Sequence, residues 1–397
     1  MSTLRRQGVA AGILTVAVGL SVRFPITNVS SLLPEIGLGY DLSQTGIAVL
    51  STIPVLLFAL AAPLAPMLIA RLGLTRSLSL LLAILACATL LRPLAPSTLF
   101  VGAVLVGASI ALLGILAPQI IRRALAARGG FWTGVYTASF GLSAATGAAL
   151  SVPLFHALGD RIGPALAAWG VPLLVALALA LVFGRRVESG GPSGPAPTER
   201  PVGDSILHAR GLWPVTGFFA CQALLYFSMT AWLPTIALDR GATPSQAGLL
   251  LAWMSIAGLP ASLFAPMLAS RPGWRTPILV ATALLGTASL LCLAITPLEL
   301  MTLVVAVLGI ALSSAFGLSV ALIVFTAPSA ARTAAFSAVS QGVGYGFAAA
   351  GPLVPGLLVG AGIGWPIVIA MLACIAAAEV GFGIASSRAS FAVQQSR

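Results

Sequence analysis

Charged side chains are scarce in this sequence, and lysine is missing altogether. Only 7% of the 397 residues are charged, whereas about 25% are charged in a typical soluble domain. Hydrophobic residues make up 59% of the chain, and the mean hydropathy is +1.06. The scarcity of charge argues against a water-soluble globular protein, so most of the surface is expected to face lipid.

The sequence also lacks the motifs of enzymes and pumps that work in membranes. It contains no HExxH, GxSxG or Walker loop, and no paired carboxylates within the apolar stretches. These absences disfavour an intramembrane protease and an ATP-driven pump, so neither enzymatic activity nor a cofactor is expected. The cysteines lie in apolar stretches without metal-ligand spacing, so we interpret them as packing residues and predict no metal site: Cys87, Cys221, Cys292 and Cys374.

Apolar stretches of the roughly 20 residues that a spanning helix needs occur repeatedly along the chain. We place twelve spans, at 8–33, 43–70, 76–96, 98–121, 129–155, 163–184, 211–236, 244–270, 276–296, 299–326, 332–360 and 364–386. A polar segment rich in Pro, Gly and Ser divides them and is typical of a flexible linker. The predicted organisation is a six-helix bundle over 1–184, a cytoplasmic linker over 185–210 and a second six-helix bundle over 211–397.

Short phrases recur in the same order about 200 residues apart, which indicates two similar halves. Leu33-Pro34-Glu35-Ile36 returns as Leu233-Pro234-Thr235-Ile236, and Ala65-Pro66-Met67-Leu68 returns as Ala265-Pro266-Met267-Leu268. In a membrane chain this repeat favours a two-bundle transporter whose binding site lies between the halves, near the middle of the membrane.

The twenty arginines are distributed unevenly between the two sides of the predicted spans. Sixteen lie on one side: Arg5, Arg6, Arg71, Arg76, Arg122, Arg123, Arg128, Arg185, Arg186, Arg200, Arg210, Arg271, Arg275, Arg332, Arg388 and Arg397. Three lie on the other side, Arg92, Arg161 and Arg240, and Arg23 lies within a span. The positive-inside rule then places both termini and the linker in the cytoplasm. The net charge of +11 therefore reflects membrane topology, and no nucleic acid is expected as a partner.

Arg23 lies about fifteen residues into the first span, roughly 22 Å along a helix that rises 1.5 Å per residue. A charge at that depth is costly unless it faces water, a partner or a substrate. Thr27, four residues later, shares its helix face. Arg23 could therefore line a cavity and attract an anionic or electron-rich solute. The alternative is an arginine that extends to the outer surface or is held by helix carbonyls.

Polar residues follow the same pattern in other spans. In the seventh span, Gln222 and Tyr226 lie at the depth of Arg23 and Thr27 when the 200-residue offset is applied. The predicted substrate-binding set is Arg23, Thr27, Tyr136, Gln222, Tyr226, Gln341 and Tyr345. The alternative is that these side chains form interhelical hydrogen bonds that pack the helices.

Two carboxylates are candidates for coupling transport to an ion. Glu35 is expected in the outer loop after the first span, and Glu379 is expected about fifteen residues into the twelfth span. A proton site and an ion pair that forms in one conformation both remain open for Glu379.

Two loop segments resemble the G-x-x-x-D-R-x-G signature of the major facilitator superfamily. They are Pro66-x-x-x-Ala70-Arg71-x-Gly73 and Pro266-x-x-x-Ser270-Arg271-x-Gly273, in which alanine and serine replace the acid. The resemblance implies an all-α membrane protein with twelve transmembrane helices in two pseudo-symmetric bundles of six.

Segments over nearly the whole chain are similar to the cyanate porter family of that superfamily: Arg23-Phe24, Leu32-Leu33-Pro34-Glu35-Ile36, Thr52-Ile53-Pro54-Val55-Leu56, Thr133-Gly134-x-Tyr136, Gln222-x-Leu224-x-Tyr226, Trp232-Leu233-Pro234, Gly258-Leu259-Pro260-Ala261-Ser262-Leu263 and Gln341-Gly342-Val343-Gly344-Tyr345. This similarity implies a secondary transporter of the bacterial inner membrane that moves a small polar or anionic solute, such as cyanate or a nitro-heterocycle, by alternating access. A multidrug or metabolite exporter of the same fold is the alternative. Membrane lipid is the other expected partner, and a monomer is expected.

Overall fold

The structure is a computed structural model that describes residues 3–61, 64–125, 128–188, 206–271, 273–327 and 332–395. Twelve helical segments within these ranges are long and apolar enough to cross a membrane. The all-α fold with twelve membrane helices, expected from the sequence, is confirmed.

The chain divides into two compact units, Met1–Gly194 and Pro195–Arg397. Residues 189–205 of the expected linker lie outside the described residues. At its edges, α10 continues to Glu188, and Ile206–His208 form a short 3-10 turn. Arg185 therefore belongs to a helix and not to a loop.

Unit 1 contains ten described helices, because several of its spans are interrupted. They are α1 (Thr3–Ser21), α2 (Phe24–Ser31), α3 (Leu33–Gly39), α4 (Gln44–Ala61), α5 (Leu64–Leu72), α6 (Leu74–Leu91), α7 (Pro96–Ala124), α8 (Gly129–Ala157), α9 (Ile162–Ala168) and α10 (Gly170–Glu188).

Unit 2 contains seven described helices, most of which run the full length of a span. They are α11 (Leu212–Asp239), α12 (Pro244–Ala269), α13 (Arg275–Ile295), α14 (Leu298–Thr326), α15 (Thr333–Ala348), α16 (Ala350–Gly360) and α17 (Trp365–Gln395).

Each unit packs its spans in the same way. In unit 1 the first span, α1 with α2, contacts α8, α10 and α7, and α4 packs along α7. In unit 2 the seventh span, α11, contacts α15, α17 and α14, and α12 packs along α14. The repeated phrases in the sequence therefore correspond to a repeated packing arrangement.

Glycines allow the closest approach between helices, at equivalent places in the two units. A Cβ on Gly107 of α7 would lie 2.6 Å from the Cα of Pro54 in α4. A Cβ on Gly309 of α14 would overlap the carbonyl oxygen of Met254 in α12. Backbone cannot move aside as a side-chain tip can, so these contacts require glycine.

Gly309→Ala is expected to lower the free energy of unfolding by about 1–3 kcal/mol, because the added methyl meets backbone. Gly286→Ala in α13 is the matched control. Its Cβ would lie 3.8 Å from Ala311 of α14, the helix that carries Gly309, and this is an ordinary contact. Thermal unfolding in detergent measures both variants. Equal melting temperatures for the two would contradict the close approach of α12 and α14.

Candidate functional site

The first span is broken at Arg23. Helix α1 ends at Ser21 and α2 begins at Phe24, with Pro25 as its second residue. Proline has no N–H to continue the helical hydrogen bonds and is favoured in the first turn of a helix. Arg23 occupies the N-cap position of α2, with φ −125° and ψ −39°. The sequence analysis predicts one continuous helix over 8–33, and the break at Arg23 corrects that prediction.

Ser143 of α8 satisfies the backbone that the break leaves open. Its hydroxyl oxygen accepts the N–H of Arg23 at 3.2 Å and the N–H of Phe24 at 2.9 Å. The Ser143 side chain is buried, so no solvent competes for these donors. Within a membrane, each freed backbone group needs such a partner. The fifth span thus holds the broken first span in place.

The Arg23 side chain lies in the core of unit 1 and is 5% exposed. Its guanidinium carbon lies 4.3 Å from the centroid of the Phe140 ring of α8. A cation over an aromatic face is stabilised by the negative charge of that face. Arg23 therefore contacts α8 through both its backbone and its side chain.

Of the other predicted site residues, Thr27 contacts Arg23, and Tyr136 lies one turn from the Phe140 ring that Arg23 contacts. The buried Thr27 hydroxyl donates to the carbonyl oxygen of Arg23 at 3.4 Å. Tyr136 is half-buried one turn from Phe140, and its ring closely approaches Gly19 of α1. We call these residues the Arg23 cluster: Arg23, Thr27, Tyr136, Phe140 and Ser143. The sequence analysis missed Phe140, although its spacing from Tyr136 and Ser143 places all three on one face of α8.

Arg92 supports the same helix from the opposite side. The sequence analysis placed it at the outer end of the third span; it lies just after the end of α6, but its side chain is only 4% exposed and so is buried in the protein. Its Nη1 donates to the carbonyl oxygen of Pro25 at 2.9 Å, and its Nη2 donates to Oδ1 of Asn28 at 3.0 Å. The arginine thereby ties α2 to the junction between α6 and α7.

The predicted polar site residues of unit 2 form hydrogen bonds with different helices. Gln222 is 1% exposed, and its Nε2 donates to the carbonyl oxygen of Leu312 in α14 at 3.4 Å. Gln341 is half-buried and donates to Ser337 of its own helix at 2.6 Å. The hydrogen bonds of the two amides therefore run to different helices. Among the described residues, Oε1 of Gln222 has no hydrogen-bond partner.

Aromatic rings join α11 to α15 in unit 2. The ring of Tyr345 packs edge-on against Phe219 at 5.0 Å and lies 6.2 Å from Phe227. Tyr226 lies next to Phe227, with ring centroids 5.5 Å apart. Both predicted tyrosines are half-buried within this aromatic group.

The two candidate carboxylates occupy different surroundings. Glu35 lies in helix α3 and not in a loop, and burial raises the pKa of its carboxyl, although the charge of nearby His156 opposes that rise. Glu379 of α17 is 2% exposed and lies near Cys221 of α11. Within the described ranges, its Oε1 has no hydrogen-bond partner. No cluster of His, Cys, Asp or Glu in the described residues could hold a metal ion.

The sequence model of the Major Facilitator Superfamily matches residues 13–285 and 233–385. This chain belongs to the Major Facilitator Superfamily. A 2-nitroimidazole transporter of Escherichia coli (strain K12) is 31% identical over 396 residues, which cover 98% of this chain and 97% of that protein. The uncharacterized transporter YycB of Bacillus subtilis (strain 168) is 31% identical over 392 residues, covering 97% and 95%. The cyanate transport protein CynX of Escherichia coli (strain K12) is 27% identical over 351 residues, covering 87% and 89%.

Solved structures of this superfamily have the same fold. A bacterial homolog of the human lysosomal transporter Spinster, in an inward-facing and occupied conformation, matches with a TM-score of 0.73 at 16% identity, covering 100% of this chain and 98% of that one. A D-xylose–proton symporter matches with a TM-score of 0.69 at 16% identity, covering 96% and 97%. The resemblance noted in the sequence is confirmed, and the chain is a multi-pass membrane transporter of this superfamily.

Ser143→Ala is expected to lower the free energy of unfolding by about 1–3 kcal/mol, because two buried N–H groups lose their acceptor. Ser139→Ala is the matched control on the same helix, since the Ser139 hydroxyl donates only to Val135 within α8. Denaturation in detergent, followed by tryptophan fluorescence, compares the two variants. An equally small loss for both would show that the broken span does not depend on Ser143.

Proposed function

We propose that this transporter moves a small polar or anionic solute, such as a cyanate-like anion or a nitro-heterocycle, across the bacterial inner membrane by alternating access. The observation that carries the proposal is the buried guanidinium of Arg23 at the break in the first span. The relatives named as 2-nitroimidazole and cyanate transporters support the same solute class.

The Arg23 cluster suits such a solute for three physical reasons. The planar guanidinium presents paired donors that fit nitro or carboxylate-like oxygens. The N-terminus of α2 adds the positive end of a helix dipole beside it. The rings of Phe140 and Tyr136 offer flat surfaces against which a planar or linear solute packs.

In unit 2, we propose that four side chains form hydrogen bonds with the solute: Gln222, Tyr226, Gln341 and Tyr345. The support is that Gln222 keeps a buried amide oxygen without a partner in the described chain. Gln341, Tyr226 and Tyr345 are half-buried, so these side chains are partly exposed. That both units act on one solute stays a prediction of the sequence repeat.

The arginine distribution supports an orientation with both termini in the cytoplasm. One arginine on each side is buried and bonded within its unit, namely Arg92 on the minority side and Arg275 on the majority side. When both are set aside, fifteen arginines still oppose two, so the bias is kept.

A multidrug or metabolite exporter is the second candidate, and the half-buried tyrosines of unit 2 favour it. Tyr226 and Tyr345 are partly exposed aromatic rings that suit larger, uncharged solutes. Phe219 and Phe227, against which Tyr345 packs, are only 0% and 3% exposed and belong to the core. The two candidates differ in the role of Arg23, because an uncharged apolar solute gains little from a guanidinium.

Arg23→Ala is expected to abolish transport of cyanate or 2-nitroimidazole into proteoliposomes. Arg23→Lys keeps the charge but loses the planar fork, so it should weaken binding about tenfold or more, since a hydrogen bond to a charged group contributes about 1.5–3 kcal/mol. The control is Arg161→Ala, which removes an exposed arginine just before α9. Normal flux through correctly folded Arg23→Ala would reject the role of Arg23 and favour the exporter.

We further propose that Glu35 or Glu379 couples transport to protons. Burial raises the pKa of Glu35, so this group binds a proton at a higher pH than a free glutamate does, and it releases that proton as the pH rises. Glu35→Gln or Glu379→Gln should abolish accumulation driven by a pH gradient while solute binding at constant pH is retained. Glu299→Gln, at the exposed start of α14, is the control. Gradient-driven accumulation that survives in both variants would exclude these carboxylates from coupling.

A further inference from the structure

An open apolar groove runs along α1 in unit 1. Its volume is about 680 Å³, and its floor is formed by residues spaced four apart on one face of α1, namely Gly8, Gly12, Val16 and Leu20. Trp132 of α8 forms one wall, and the opposite wall comes from α10. The lining is almost entirely apolar, so the groove offers little to a polar solute. None of its lining residues belongs to the Arg23 cluster, although Leu20 and Trp132 lie about one turn from Arg23 and Tyr136.

A second groove of about 500 Å³ lies at the equivalent place in unit 2. It is formed by Trp213 of α11 together with Ala378, Phe382 and Ala385 of α17. Helices α11 and α17 correspond to α1 and α10 in the repeated packing. Trp213 also corresponds to Ile13 of the first groove when the 200-residue offset is applied. The two grooves are therefore a repeated feature of the fold.

Two exposed arginines lie in the chain beyond one end of the first groove. Arg128 precedes Trp132 by one helical turn, and Arg185 lies near the end of α10, six residues after the groove residue Leu179. The amide of Gln7 donates to the carbonyl oxygen of Val187 at 3.3 Å, so the end of α10 lies beside the start of the groove floor.

Two exposed arginines also lie close in sequence to the residues that line the second groove. Arg210 precedes Trp213 by three residues, and Arg388 follows Ala385 by three residues on the same face of α17. Both arginines are exposed. Each groove thus combines an apolar bed within membrane-spanning helices with two exposed arginines at one end.

We propose that each groove binds one anionic phospholipid, with an acyl chain in the apolar bed and the headgroup phosphate on the two arginines. An acyl chain matches the apolar lining, and the paired arginines complement a phosphate. All four arginines are on the side that the arginine distribution assigns to the cytoplasm, where anionic headgroups attract basic residues. The site is distinct from the solute site and does not depend on which solute is transported.

The grooves themselves contain the reporters for a direct test, because Trp132 and Trp213 line them. The purified full-length chain is titrated in detergent with phosphatidylglycerol brominated on its acyl chains, and bromine quenches nearby tryptophan fluorescence. Phosphatidylcholine with the same brominated chains is the comparison lipid. Saturable quenching at lower concentrations of phosphatidylglycerol is expected, and Trp132→Phe and Trp213→Phe should each remove part of it.

Charge-removing variants then locate the headgroup. Arg128→Gln with Arg185→Gln, or Arg210→Gln with Arg388→Gln, should weaken phosphatidylglycerol binding at the affected groove about fivefold for each arginine removed. Phosphatidylcholine also carries a phosphate, but its choline cancels the net charge, so its binding should weaken much less. Arg71→Gln with Arg76→Gln is the control pair, because both side chains are exposed on the same predicted side without lining either groove.

Three results would overturn the proposal. Equal quenching by the two lipids would mean that the grooves accept any acyl chain. An equal loss in the control pair would mean that binding follows net charge alone. Quenching that persists unchanged in both tryptophan variants would place the lipid elsewhere on the chain.

Discussion

The hydroxyl of Ser143 accepts two backbone N–H groups from the broken first span, and the rest of the candidate site depends on this interaction. Pro25 prevents a continuous helix, so the chain needs an acceptor for the donors that it frees. Because that acceptor is on α8, the break lies against the fifth span. Arg23 is brought onto Phe140 by the same contact, which places a cation within the apolar core.

Arg92 completes this arrangement from the other side. Its bonds to Pro25 and Asn28 fix the short helix α2, which on its own has only eight residues to stabilise it. A helix of this length is marginal in isolation. The position of Arg23 therefore depends on two neighbouring elements, α8 and the junction of α6 with α7.

The two units share a packing plan but interrupt it at different helices. Unit 1 breaks the first span at Arg23, whereas α11, its counterpart in unit 2, runs without a break through Gln222. Unit 2 instead interrupts its eleventh span between α15 and α16, near Ala349. The two units thus share one packing arrangement but carry different side chains in it. Unit 1 has the buried cation of Arg23, and unit 2 has the amides of Gln222 and Gln341 and a group of aromatic rings.

Hydropathy, the arginine distribution and the internal repeat were sufficient to predict the twelve spans, because lipid imposes length and composition on each helix. The depth of Arg23 and the helix face that it shares with Thr27 were also predictable from spacing. The burial of Arg92 was not, since an arginine at the end of a span has the same pattern whether it faces solvent or a neighbouring helix. The direction of Gln222 towards α14 depends on helix rotation, which spacing alone does not determine.

Locating a bound anion tests the central claim most directly. Selenocyanate is a cyanate-like anion whose selenium scatters anomalously, so its position can be read from diffraction of crystals grown with it. The account predicts a selenium peak within hydrogen-bonding reach of the Arg23 guanidinium, and loss of that peak in crystals of Arg23→Ala. A fully occupied peak at another site, with Arg23 still stacked on Phe140, would contradict it.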